Sequence, residues 1–217
     1  CLLSRGLGDV YKRQDEDSGT STTVSCKSLK TVGNLDSVTR IGSEAFSGCR
    51  ELESIGALPN VTRIAFGAFQ NCEKLKKVEG LGKLTAINRN TFTGCTSLKS
   101  IGNLLNVTSI GEQAFAGCAS LESIGNLQNV KSIGSSAFGS YVCYDENHMY
   151  QHVYCTSLKS IGDMPKLETI GASAFECCSS LESVGDLSSV TSIGESTFIG
   201  CSSLESVGDL SSVTSIG

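Results

Sequence analysis

Cys143, His148, His152 and Cys155 fall close together near the middle of the chain. Thiolate and imidazole are the ligands zinc favours, and His148 and His152, four apart, would share one face of a helical turn. Asp145 and Glu146 lie between them as substitute oxygen ligands. The same segment, 139–154, holds four of the five tyrosines, Tyr141, Tyr144, Tyr150 and Tyr154, and both histidines. Tyrosine gives a large contact area at low entropic cost, so its enrichment suits a recognition surface. Two chemistries are therefore on offer, metal coordination and partner contact. Metal is the weaker, because Cys155 already belongs to a regular column of cysteines and leaves only Cys143, His148 and His152. The favoured reading is a packed loop without a dedicated ligand. A contact loop for protein or glycan, using Tyr141, Tyr144, His148, Tyr150, His152 and Tyr154, comes next. No cofactor is expected.

The column is the background against which this segment stands out. Cys26, Cys49, Cys72, Cys95 and Cys118 recur every 23 residues, and Cys155, Cys178 and Cys201 resume the interval. Between Cys118 and Cys155 the interval is 37, an excess of 14 residues. A fixed period in this range marks a solenoid, and an extra segment within one unit maps to a loop on one face. Eleven cysteines invite a disulfide framework. Rungs about 4.8 Å apart, however, would hold same-facing Cβ atoms beyond the preferred separation of about 3.8 Å. Nor does a straight column converge on a metal. The eight ladder cysteines are therefore read as small buried residues at a corner. Cys177, beside Cys178, should point the other way.

Each unit follows Cys-x-Ser-Leu-x-Ser-Ile-Gly-x-Leu-x-x-Val-Thr-Ser-Ile-Gly-x-x-Ala-Phe-x-Gly. Its two β-branched segments, bounded by Gly or Asn, read as short strands. The Phe segment, as in Gly111-Glu-Gln-Ala-Phe-Ala-Gly117, reads as a helical turn closed by Gly, with Phe inward. Residues 24–217 form the repeat domain with its insertion at 139–154. Residues 1–23 are a non-repeat lead-in, of which 1–14 resemble translated adapter sequence. The last unit stops in mid-repeat at Gly217, so a chain truncated at both ends is expected.

Leu-x-x-Ile-x-x-Leu followed by Val-x-x-Ile-Gly-x-x-Ala-Phe-x-x-Cys resembles the BspA-like, treponemal-type leucine-rich repeats. The resemblance implies a right-handed leucine-rich-repeat solenoid of 23-residue units, with parallel β-ladders and short helical turns. It also implies a cell-surface or secreted protein of a host-associated microbe, adhering to host proteins, matrix or other cells.

Net charge is −5, with Lys and Glu scattered and no basic stripe to suggest nucleic acid. No apolar run is long enough to span a membrane. Acidic residues are spread along the rod, and no nucleophile elbow or phosphate loop appears, so an enzyme is not expected. Asn60-Val-Thr62 and Asn106-Val-Thr108 match the glycosylation sequon, but the repeat itself generates such triplets. Two other functions compete with adhesion: a structural spacer of a larger surface protein, and an intracellular interaction scaffold whose unpaired thiols suit a reducing compartment.

Overall fold

The computed structural model describes residues 26–144 and 149–217, together with the backbone of a short antiparallel pair, Arg13–Gln14 with Ser21–Thr22. That pair crosses the boundary at residue 14 drawn from the sequence. The rest of the lead-in lies outside the described residues. From Cys26 onward the chain winds into a parallel β-solenoid, each coil opening at a column cysteine. Coils 1 to 8 thus begin at Cys26, Cys49, Cys72, Cys95, Cys118, Cys155, Cys178 and Cys201.

Two ladders run along the rod. The first contains Thr31–Val32, Ser54–Ile55, Lys77–Val78 and Ser100–Ile101, then single bridges through Ser123, Ser160, Ser183 and Ser206. The second contains Arg40–Ile41, Arg63–Ile64, Ala86–Ile87, Ser109–Ile110, Ser132–Ile133, Thr169–Ile170, Ser192–Ile193 and Ser215–Ile216. Strands alternate their side chains between faces, so Ile64, Ile87 and Ile110 are buried while Arg63 and Lys77 face out. Leu52, Leu75, Leu98 and Leu121 complete the inner side, all fully buried.

The Phe segment forms a third wall, and here the structure departs from expectation. It is a chain of tight turns, with no helix among the described residues. Its N–H groups alternate between two destinations. Ala45, Ser47 and Cys49 donate back within the coil, to Gly42, Glu44 and Phe46. Glu44, Phe46 and Gly48 donate instead to Phe66, Ala68 and Gln70 of the next coil. A helix would keep every bond within its own segment. The left-handed residue two before Phe, such as Glu44 at φ 55° or Gln113 at φ 53°, interrupts any helical run. Stacking between coils therefore outweighs local helix formation.

Phe46, Phe69, Phe92, Phe115, Phe138, Phe175 and Phe198 form one continuous stack, with successive centroids 5.3–5.8 Å apart and planes within 13° of parallel. Each such contact contributes about 0.5–1.5 kcal/mol beyond area burial. The cysteine column runs beside it. Cys72 Sγ donates to Phe46 O at 3.1 Å, and Cys95, Cys118, Cys155, Cys178 and Cys201 repeat this bond to Phe69, Phe92, Phe115, Phe138 and Phe175. The thiols from Cys49 to Cys201 are free, whereas Cys26 is disulfide-bonded, so the unpaired column has seven members and not eight. Burial pushes Cys95 and Cys155 up to about 12, where they stay protonated and keep their hydrogen for the carbonyl.

One joint breaks the pattern. Between coils 2 and 3 neither ladder forms a strand pair, and the first keeps only a long bond from Lys76 N–H to Glu53 O at 3.4 Å, although every other joint is bridged in both. The column residue Thr62 donates its N–H to Thr39 O, and Thr108 to Thr85 O, but Thr85 makes no such bond to Thr62. Likewise Ala65 donates to Ile41 O and Gly111 to Ile87 O, while Asn88 N–H does not reach Ile64 O. The cause lies in two columns that are otherwise Gly or Ala after each strand. A Cβ on Gly111 would come within 2.6 Å of Arg89 N, and one on Gly56 within 2.2 Å of Gly33 O. Coil 3 carries Glu79 and Asn88 in these columns. A methyl is accommodated at Ala65, but the Asn88 carboxamide wedges into the joint and donates to Ile64 O at 2.5 Å in place of the backbone.

Candidate interaction site

The insertion folds as a β-hairpin, Tyr141–Tyr144 paired antiparallel with Tyr150–Val153. Its register, Tyr141↔Val153, Val142↔His152, Cys143↔Gln151 and Tyr144↔Tyr150, decides which residues share a face. Tyr141, Cys143 and Val153 are half-buried on one face. Val142, Tyr144, Tyr150 and His152 are exposed on the other, with Met149 beside them.

Tyr141 lies back along the rod. A Cβ on Gly117 would come within 2.6 Å of Tyr141 Cβ, and one on Gly94 within 3.1 Å of its ring. Glycine is needed at both, since each has positive φ and a ring lying over it. The phenol then hydrogen-bonds the Asn71 side chain of coil 2, which stands in the same column at φ 60°. Burial pushes the Tyr141 phenol up, partly offset by that bond. The hairpin's base is tied the other way as well, because Ser140 Oγ donates to Glu176 Oε2 at 3.2 Å.

The outer face is aromatic and open. The Tyr144 and Tyr150 rings meet at 4.7 Å with a 41° tilt, and both side chains stand more than 60% exposed. Their hydroxyls share a hydrogen bond that pushes Tyr144 up. His152 stacks on the half-buried Tyr154 at 6.0 Å and 15°. Burial pushes Tyr154 up, with nearby Cys177 and Glu176 adding to the shift.

Of the residues singled out by type, Tyr144, Tyr150 and His152 come together on the outer face, Tyr154 adjoins His152, and Tyr141 turns to the rod. His148 lies outside the described residues. Cys143 and His152 sit on opposite faces of the hairpin, which separates two of the three metal candidates. Cys155 is buried in the column with its thiol bound to Phe115 O. Val142 is not among the residues singled out by type, although strand alternation from Tyr144 points to it. The sequon asparagines serve the scaffold: Asn60 and Asn106 donate their side-chain N–H groups to Asp36 O and Gly82 O one coil back.

A rod of 23-residue coils with Leu, Ile and Phe stacked inside defines a leucine-rich-repeat solenoid, a class built for presenting surfaces to partners. The BspA type leucine-rich repeat region matches in six copies over residues 20–143 and 148–217, and the chain belongs to that family. The fold is similar to the leucine-rich repeat protein of T. pallidum, with a TM-score of 0.65 and 28% identity over 77% of this chain and 72% of that one. A leucine-rich repeat protein from Eubacterium ventriosum shares the fold with a TM-score of 0.52 and 19% identity, over 72% of this chain and 45% of that one. A leucine rich cell surface protein from Faecalibacterium prausnitzii aligns at 24% identity and a TM-score of 0.49, over 87% of this chain and 75% of that one. No curated protein matches in sequence. Among the described residues no helix is long and apolar enough to cross a membrane.

Proposed function

We propose that this chain is an adhesion-type interaction module, displayed on a cell surface or secreted, that binds a protein partner through the outer face of its hairpin. One observation carries the reading: the register exposes Val142, Tyr144, Tyr150 and His152 together, while Tyr141 anchors the hairpin to the coils. A preorganised aromatic patch loses little entropy when it binds. The rigid rod adds multivalency, since weak contacts on one scaffold gain effective concentration when they engage together.

The test compares the chain with Tyr144→Ser/Tyr150→Ser and with a variant lacking residues 141–154, using adhesion to immobilised matrix proteins and to epithelial cells. Both variants should lose at least tenfold in binding while keeping the circular dichroism of the parent. Undiminished adhesion by both would remove the hairpin from the function. It would favour a spacer role, for which the identical runs Cys178–Gly194 and Cys201–Gly217 already speak, since identical coils carry little partner-specific information.

A further inference from the structure

The open joint between coils 2 and 3 has the makings of a second site. A cavity of about 210 Å³ lies there, lined by Thr62, Arg63, Thr85, Ala86 and Asn88. Its polar groups are those the missing pairing leaves over. At other joints the column threonine also bonds through its hydroxyl, as Thr62 Oγ1 does to Thr39 O and Thr108 Oγ1 to Thr85 O. Thr85 makes neither that bond nor the backbone one, which leaves its two donors and the Thr62 carbonyl without their usual partners beside the opening. Arg63 stands at the rim, and Arg40 is its register partner one rung away. Among the described residues, neither guanidinium meets a carboxylate. Like charges directly opposite on neighbouring strands are destabilising. Donors at the opening and unneutralised charge at its rim both call for an anion.

We propose that this joint binds a carboxylate side chain of an extended, acidic segment of a protein partner. Arg63 would pair with the carboxylate, and the Thr85 N–H and O–H would take its remaining oxygen lone pairs. A polyanion such as a sulfated glycan suits the surface less well. The column continues from Arg40 and Arg63 into Ala86, Ser109 and Ser132, so the positive charge is two residues long and not a stripe. The site lies on the ladder wall and stands or falls independently of the hairpin.

The probe is a capped hexapeptide of alternating Glu and Thr, titrated into the isotope-labelled full chain and followed by NMR. The Thr85 amide and Arg63 Nε–H resonances should shift and saturate, while the Gln analogue of the peptide leaves them in place. Arg63→Gln should weaken binding at least tenfold. Asn88→Ala keeps every charge but lets the joint close, which slowed hydrogen exchange at Thr85 would report, and it should weaken binding to a similar degree. Three results would overturn the proposal: shifts that never saturate, Asn88→Ala binding as the parent does, or a sulfated tetrasaccharide saturating the same resonances at lower concentration than the peptide.

Discussion

Fourteen residues inserted at the end of coil 5 leave the ladders intact, while two side chains in coil 3, with no change of length, open them. Across the insertion Ser132 still pairs with Thr169, and Ile133 with Ile170. Phe138 and Phe175 stack at 5.3 Å, as neighbours do elsewhere. At the coil 2–3 joint the Phe wall is closed, with Phe69 N bonded to Thr91 O, yet neither ladder forms a strand pair and only the long Lys76 N–H to Glu53 O bond remains. Length is cheap where the chain leaves the rod at a surface corner, because loop closure costs rise slowly with length. Side-chain volume is costly where backbone stacks on backbone. Tyr141 links the two regions, since it reaches from the hairpin to Gly94 and Asn71 on the closed side of the open joint.

Moving the wedge to another joint should have the largest effect. Gly171 follows the ladder Ile of coil 6, and a Cβ there would come within 2.4 Å of Ser135 N. Gly171→Asn should therefore cost roughly 2–4 kcal/mol through overpacking and lost ladder bonds, read by urea denaturation. A loss under about 0.5 kcal/mol would show that the coil 2–3 opening has another cause.

Alkali tests the column that crosses both regions undisturbed. Burial raises Cys155 above its ordinary 9.0 to about 12. Below pH 9 the thiol is protonated in both folded and unfolded chains, and its contribution is fully present. Between pH 9 and 12 the unfolded chain releases a proton that the folded chain retains, so stability falls as pH rises. At pH 10 Cys155 alone should cost about 1.4 kcal/mol. Cys95, which opens coil 4, should behave alike. Cys155→Val should flatten part of the slope in pH-dependent denaturation, and an unchanged slope would contradict the buried-thiol account.

Closing the open joint should have a smaller effect. Asn88→Ala, with Ala65 as precedent, should add about 1 kcal/mol as backbone bonds to coil 2 re-form. Hydrogen exchange at Thr85 should slow at least tenfold.

The smallest change is expected from deleting residues 141–154, which restores the 23-residue interval. The Tyr141 cover, its bond to Asn71 and the half-buried Cys143, Val153 and Tyr154 are lost, but no ladder or Phe-stack contact is, so stability should stay within about 1 kcal/mol by thermal denaturation. A large loss would mean that the hairpin holds the coil 2–3 joint together.

Much of this was legible in the chain itself. Period, inward Leu, Ile and Phe, and the place of the insertion all follow from residue type recurring at one interval, because each coil repeats the same burial problem. Gly111-Glu-Gln-Ala-Phe-Ala-Gly117 suits a helix locally, and it is a chain of turns because the neighbouring coil claims every second N–H. Nothing in its spacing distinguishes the disulfide-bonded Cys26 from the free Cys49. At the candidate site, residue type found the tyrosines but not their facing. Asn88 and Glu79 were visible as departures from glycine without their consequence being so.

A stack of coils follows from the 23-residue period alone, since apolar side chains recurring at that interval can be buried in few other ways. The tertiary structure alone decided which tyrosines face outward, which turn N–H groups cross between coils, and which joint stands open. Each depends on the distance between backbones that are 23 residues or more apart, and no local pattern encodes that distance.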